Sequence, residues 1–151
     1  QKFQAALDFF VKIENYPKSK AYPYGLYKSA WCHYNLKQTD LGIQKLSLVV
    51  KKNGPEEQDE RKYNLRKEAL RDLTLFVGES MPPQELYSFF NKLATENELG
   101  EVILNLAKLY ESHSRFKEIS IFAKEFIEKN KFKRIDNPLF DFFIISNNCI
   151  F

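Results

Sequence analysis

Apolar residues recur every three to four positions along most of the chain, and no stretch of strand length alternates apolar with polar. That period belongs to amphipathic helices. Breakers divide the pattern at Pro17, Pro23–Gly25, Gly54–Pro55, Pro82–Pro83, Gly100 and Pro138. The segments between them predict eight helices, at about 1–14, 24–37, 40–52, 60–79, 83–97, 99–113, 116–130 and 138–147. Asp40 is placed to cap the third helix, because a carboxylate accepts the free amides of a first turn. Pro82 and Pro83 suit the start of the fifth, where a missing N–H costs little. The links are short, so successive helices are expected to pair antiparallel as αα-hairpins.

The apolar stripe of the second helix of each pair repeats. Ala6, Leu7, Phe10 and Ile13 are followed 36 residues later by Gly42, Ile43, Leu46 and Val49. Leu86, Phe89, Phe90 and Leu93 follow after 44, and Ile119, Phe122, Ala123 and Phe126 after 33. Steps of this size with helix–turn–helix content mark a repeat array, in which one hairpin alone cannot bury its apolar face. The longer step contains residues 51–62, highly charged and of alternating sign. This segment reads as a solvated loop insertion of about ten residues followed by an extended helix start.

Composition agrees. Gly and Pro are scarce, at 5 and 6 of 151 residues, which argues against a turn-rich all-β fold. An apolar fraction of 44% with 15% aromatics supports a folded core. No apolar run is long enough to span a bilayer. The formal net charge of +3 is too balanced to call for nucleic acid or an anionic membrane. Cys32 and Cys149 are too few for a disulfide framework.

Tyr16-Pro17-Lys18-Ser19, continuing through Gly25-Leu26-Tyr27-Lys28-Ser29-Ala30-Trp31-Cys32-His33-Tyr34-Asn35-Leu36, resembles a tetratricopeptide repeat of the kind found in bacterial cell-envelope proteins. Leu65–Leu73 with Pro83–Phe90, and Leu106-Ala107-Lys108-Leu109-Tyr110, are similar in style, so the resemblance covers about residues 1–130. It implies an all-α, right-handed α-solenoid: a single repeat domain over 1–151, with the second helix of a partial repeat at 1–14, hairpins at about 24–52, 60–97 and 99–130, and an extra helix or partial repeat at 138–151. Small residues are expected where such helices cross, at Ala30 and Ala107 in first helices and Ala6 and Gly42 in second ones. Thr74, Leu86, Ile119 and His33 depart from the family pattern.

The resemblance further implies that the first helices line a concave groove for a peptide or partner helix. By position that face carries Tyr24, Tyr27, Trp31, Tyr34 and Asn35, then Glu68, Arg71, Leu75 and Glu79, then Glu101, Leu104, Lys108 and Glu111. The four rings share one helical stripe, and Tyr and Trp bring large contact area at low entropy cost. The same stripe also reads as core laid against helix 1–14. The family's clamp for a terminal carboxylate is incomplete: Lys28 and Asn35 are present, but cationic partners in the next hairpin are not at matching places.

No catalytic constellation emerges. Cys32 and His33 are adjacent, so on a helix they point about 100° apart and do not pair as nucleophile and base. Cys32, His33, His113 and Cys149 lack metal-ligand spacing, and the glycines form no phosphate loop, so no cofactor is expected. The basic residues of 129–134 complement a helix C-terminus. The mostly apolar segment 138–151 has three readings: the first helix of a further repeat, a cap on the last hairpin, or a docking surface for a partner or a second copy.

The expected function is therefore a non-catalytic protein–protein interaction scaffold with a protein or peptide partner. The resemblance implies a bacterial envelope assembly or motility complex and favours the periplasm or outer-membrane association, with the cytoplasm as the alternative. A structural or self-associating segment with no groove ligand is the alternative function, and an RNA-binding helical repeat, disfavoured by the charge balance, is the third.

Overall fold

The computed structural model describes residues 2–54 and 65–130. Among the described residues it is all-helical: α1 (Lys2–Glu14), α2 (Tyr22–Asn35), α3 (Thr39–Lys52), α4 (Leu65–Ser80), α5 (Pro83–Asn91), α6 (Glu96–Ser112) and α7 (Phe116–Asn130). The chain forms two compact units, Gln1–Phe76 and Val77–Phe151, and the division falls within α4.

In the first unit α2 packs against both α1 and α3. Missing side chains set the two crossings. A Cβ on Gly25 would lie 2.9 Å from Ile13 Cγ2 of α1. A Cβ on Gly42 would lie 2.8 Å from the Phe76 ring and 3.1 Å from the Ala30 carbonyl oxygen. Leu26, Ala30, Leu46, Val49, Val50, Leu73 and Phe76 form a core with essentially no exposure. Glu14 of α1 pairs with Lys45 of α3. The open carbonyls at the end of α3 find donors: Arg66 donates to Val50 O at 2.6 Å and Asn53 O at 3.1 Å, and Asn53 Nδ2 to Val49 O at 2.7 Å.

In the second unit α5 packs against α7 and α6, and α6 against α7. Leu86, Phe90, Ile103, Leu106, Ala107, Ile119, Phe122 and Phe126 are buried together. Gly78 is the close-approach position on α4, since a Cβ there would lie 2.9 Å from Leu109. Its carbonyl accepts from Tyr110 Oη at 3.1 Å and Arg115 Nη1 at 3.0 Å. In the first unit, the buried Thr74 of α4 donates to the Arg71 carbonyl within its own helix.

The two units repeat each other at a shift of 77 residues. Both first hairpin helices end on a Schellman turn: Gln38 N–H reaches His33 O at 2.9 Å, and Arg115 N–H reaches Tyr110 O at 2.8 Å. Lys37 and Ser114 occupy the left-handed position of these turns, with φ of 63° and 57°. The preceding helices also end alike, with Tyr16 N–H on Ile13 O and Leu93 N–H on Phe90 O, both 3.0 Å. Ala30 and Ala107 are both fully buried at matching places.

Several boundaries differ from the sequence expectation. α2 begins at Tyr22, because Pro23 lies within its first turn, where its absent N–H is harmless. Asp40 lies inside α3, and the N-cap is Gln38 with no side-chain hydrogen bond. Pro82 and Pro83 open the fifth helix as expected, but it ends at Asn91 rather than near 97. Thr95 and Glu98 form a reciprocal capping box that starts α6 at Glu96 and ends any continuation of α5. The helix start at 60–64, most of the 51–62 insertion, the basic residues beyond 130, the helix at 138–147 and Cys149 lie outside the described residues.

Two stability outcomes follow. Lys37→Gly and Ser114→Gly each remove a left-handed side chain and should stabilise the protein by up to about 1 kcal/mol, read as a higher thermal midpoint. Gly42→Ala should destabilise by about 1–3 kcal/mol despite better helix propensity, because Phe76 and the α2 backbone already occupy the space.

Candidate functional site

The candidate site is the face of the first unit that α2 and α4 build together. Asp72 lies on the apolar side of α4, among Ala69, Leu73 and Phe76, and is itself buried. A carboxylate there needs donors. α2 supplies them: Tyr27 Oη donates to Oδ2 at 2.6 Å and Trp31 Nε1 to the same oxygen at 2.8 Å. Arg71 Nη2 approaches Oδ1 at 3.4 Å and pairs with Glu68 one turn back.

Phe76, one turn further along α4, completes the attachment. Tyr34 stacks on it with centroids 4.3 Å apart, and Trp31 meets it edge-on at 5.2 Å. Trp31 and Tyr34 also make an edge contact at 5.7 Å. Of the four rings on the stripe, Tyr27 is buried, Trp31 and Tyr34 are half-buried, and Tyr24 is 47% exposed. The Lys28 ammonium lies 5.2 Å from the Tyr24 ring centroid and 5.7 Å from that of Tyr27, within cation–π range. The exposed Asn35 donates its amide to the Trp31 carbonyl at 2.8 Å.

The predicted groove residues therefore divide. Tyr24, Tyr27, Trp31, Tyr34, Asn35, Glu68, Arg71 and Leu75 belong to the first unit. Glu68 and Leu75 are half-buried there, whereas Arg71 is exposed. Glu79, Glu101, Leu104, Lys108 and Glu111 belong to the second unit, with Leu104 half-buried and the others exposed.

Charge on the face is mixed. Burial alone would lower the Arg71 pKa, but Glu68, Asp72 and the Asp72 hydrogen bond outweigh it and hold the guanidinium above its ordinary value. Burial pushes the Cys32 thiol up, against the opposing charge of Lys28, so the thiolate needed of a nucleophile is disfavoured. His33 is buried on the same helix, and its Nδ1 sits 2.7 Å from Gln38 Oε1. Among the described residues no group of three or more His, Cys, Asp or Glu is placed to hold a metal ion, and no helix is long and apolar enough to cross a membrane.

Asp72 and Phe76 are the residues that the sequence reading passed over. Asp72 carries a legible signal, since a lone acid on a buried stripe must be answered. Its partners lie 41 and 45 residues away and carry no such signal. Compared with known protein families, curated proteins and solved structures, the chain matches none of them.

Asp72→Ala leaves a buried phenol and an indole N–H without their acceptor. It should cost about 2–4 kcal/mol. It should also shift the emission of Trp31, the sole tryptophan, to the red and raise its quenching by acrylamide.

Proposed function

We propose that the chain is a non-catalytic scaffold of tetratricopeptide-like helix pairs that holds a peptide or partner segment on the α2–α4 face. The resemblance of residues 16–36 extends this proposal to a bacterial envelope assembly or motility complex. The supporting observation is a preformed face: half-buried Trp31, fixed from behind by Asp72 and Phe76, with exposed Tyr24 and half-buried Lys28 beside it and Arg71 across from it. Rings already locked by neighbours lose little entropy on binding, and Tyr, Trp and Arg dominate binding hot spots.

Stacked hairpins in a right-handed solenoid are the architecture we propose for this face. Within each unit, helices two apart in the chain touch. Glu14 meets Lys45, Tyr27 meets Asp72, Tyr110 meets Gly78, and α5 packs on α7. Such contacts are what a stack of helix pairs requires.

The test is selection of binders from a displayed library of random peptides. Peptides that occupy this face should bind Tyr24→Ala and Arg71→Ala at least about tenfold more weakly than wild type, and Lys124→Ala equally well. Selected peptides indifferent to both groove substitutions would contradict the assignment.

A further inference from the structure

The balance of charge over the whole chain conceals an uneven division. The described residues of the first unit carry twelve Lys and Arg against five Asp and Glu, whereas residues 77–130 of the second carry six against nine. The surplus of the first unit gathers at one end. α2 and α3 reverse at the turn on Lys37, so α3 ends beside the start of α2. Arg66, in the first turn of α4, holds to that end of α3 through Val50 O and Asn53 O. Lys18 and Lys20 in the link before α2, Lys51 and Lys52 at the end of α3, and Lys67 beside Arg66 are exposed there, with half-buried Lys28 further along α2.

The structure does not use this charge. Lys18, Lys20, Lys28, Lys51 and Lys52 have no ion-pair partner among the described residues. Glu14 is engaged with Lys45, and Glu68 with Arg71. Lys51 and Lys52 are not needed to close α3, because its carbonyls at Val49 and Val50 already accept from Asn53 and Arg66. Residues 55–64, which link α3 to α4, add four acids and two bases in sequence and leave this end net positive. Like charges gathered without counter-charges work against the compact state, and an anionic ligand relieves them.

We propose that this end of the first unit binds single-stranded nucleic acid, with phosphates on Lys18, Lys20, Lys51 and Lys52 and a base on Tyr24. Tyr24 is 47% exposed, Tyr22 is half-buried two residues before it, and the Lys28 ammonium lies 5.2 Å from the Tyr24 ring centroid. Open rings interleaved with cations hold single strands by stacking and phosphate neutralisation together. The lysines come from a link and two helix ends, not from one amphipathic face with an apolar edge to bury in lipid. Point-charge lysines neutralise a phosphodiester backbone without reading its sequence, so little base preference is expected.

The probe is a fluorescein-labelled oligouridylate of about 20 nucleotides, followed by anisotropy with the full chain. Saturable binding is expected, with four phosphate contacts giving a log–log salt slope of about −3, or about fiftyfold weakening between about 50 and 200 mM salt. Lys18→Gln/Lys20→Gln and Lys51→Gln/Lys52→Gln should each weaken binding at least about fivefold and make the slope shallower by about 1.4, with the thermal midpoint unchanged. Lys108→Gln/Lys124→Gln, which removes the same charge from the second unit, should leave both unchanged. Tyr24→Leu should weaken binding about fivefold or more while keeping the slope. Four results would overturn the proposal: no saturable binding at about 50 mM salt, equal loss in the Lys108/Lys124 variant, poly-glutamate of equal charge bound as tightly as the oligonucleotide, or tighter binding to phosphatidylserine vesicles.

Discussion

A carboxylate placed on the apolar side of a helix constrains everything around it. Asp72 must be met by donors, because an unanswered buried charge costs several kcal/mol. Tyr27 and Trp31 meet it from α2. Those two bonds, with Tyr34 stacked on Phe76, fix the register of α2 against α4. Of the rings that a sequence reading assigns either to a groove or to a core, Tyr27 is buried, and Trp31 and Tyr34 attach α2 to α4 while remaining half-buried at the surface near Tyr24, Lys28 and Arg71.

The second constraint is close approach. Gly25, Gly42 and Gly78 sit where a Cβ would strike a neighbouring helix. The helix pairs are reversed by Schellman turns that use Lys37 and Ser114 in place of glycine, so their geometry is held by hydrogen bonds and packing rather than by an intrinsically permissive residue. Equivalent turns and equivalently buried alanines recur at a constant shift even though almost no residue types coincide. What the hairpins α2–α3 and α6–α7 share is much of the pattern of burial rather than identity of side chains.

Much of the helical architecture was legible in the sequence, because period and breakers mark amphipathic helices directly. The short fifth helix was missed because apolar spacing runs on through residues 92–94; the Thr95–Glu98 capping box was the readable signal that stops it. The turns at Lys37 and Ser114 were hidden, since neither carries the glycine such turns usually announce. At the candidate site the rings were legible as a stripe, and Glu68 and Arg71 as its charged flank. The side of the stripe that faces α4 was not, because a buried hydrogen bond over 41 to 45 residues is a property of packing and leaves no local trace.

Asp72 joins α2 to α4, which do not merely lie side by side. A double-mutant cycle of Tyr27→Phe with Asp72→Ala in chemical denaturation measures that link directly. A coupling energy of about 1 kcal/mol or more between the two positions is the predicted result. Additive effects, within the error of the cycle, would contradict the account.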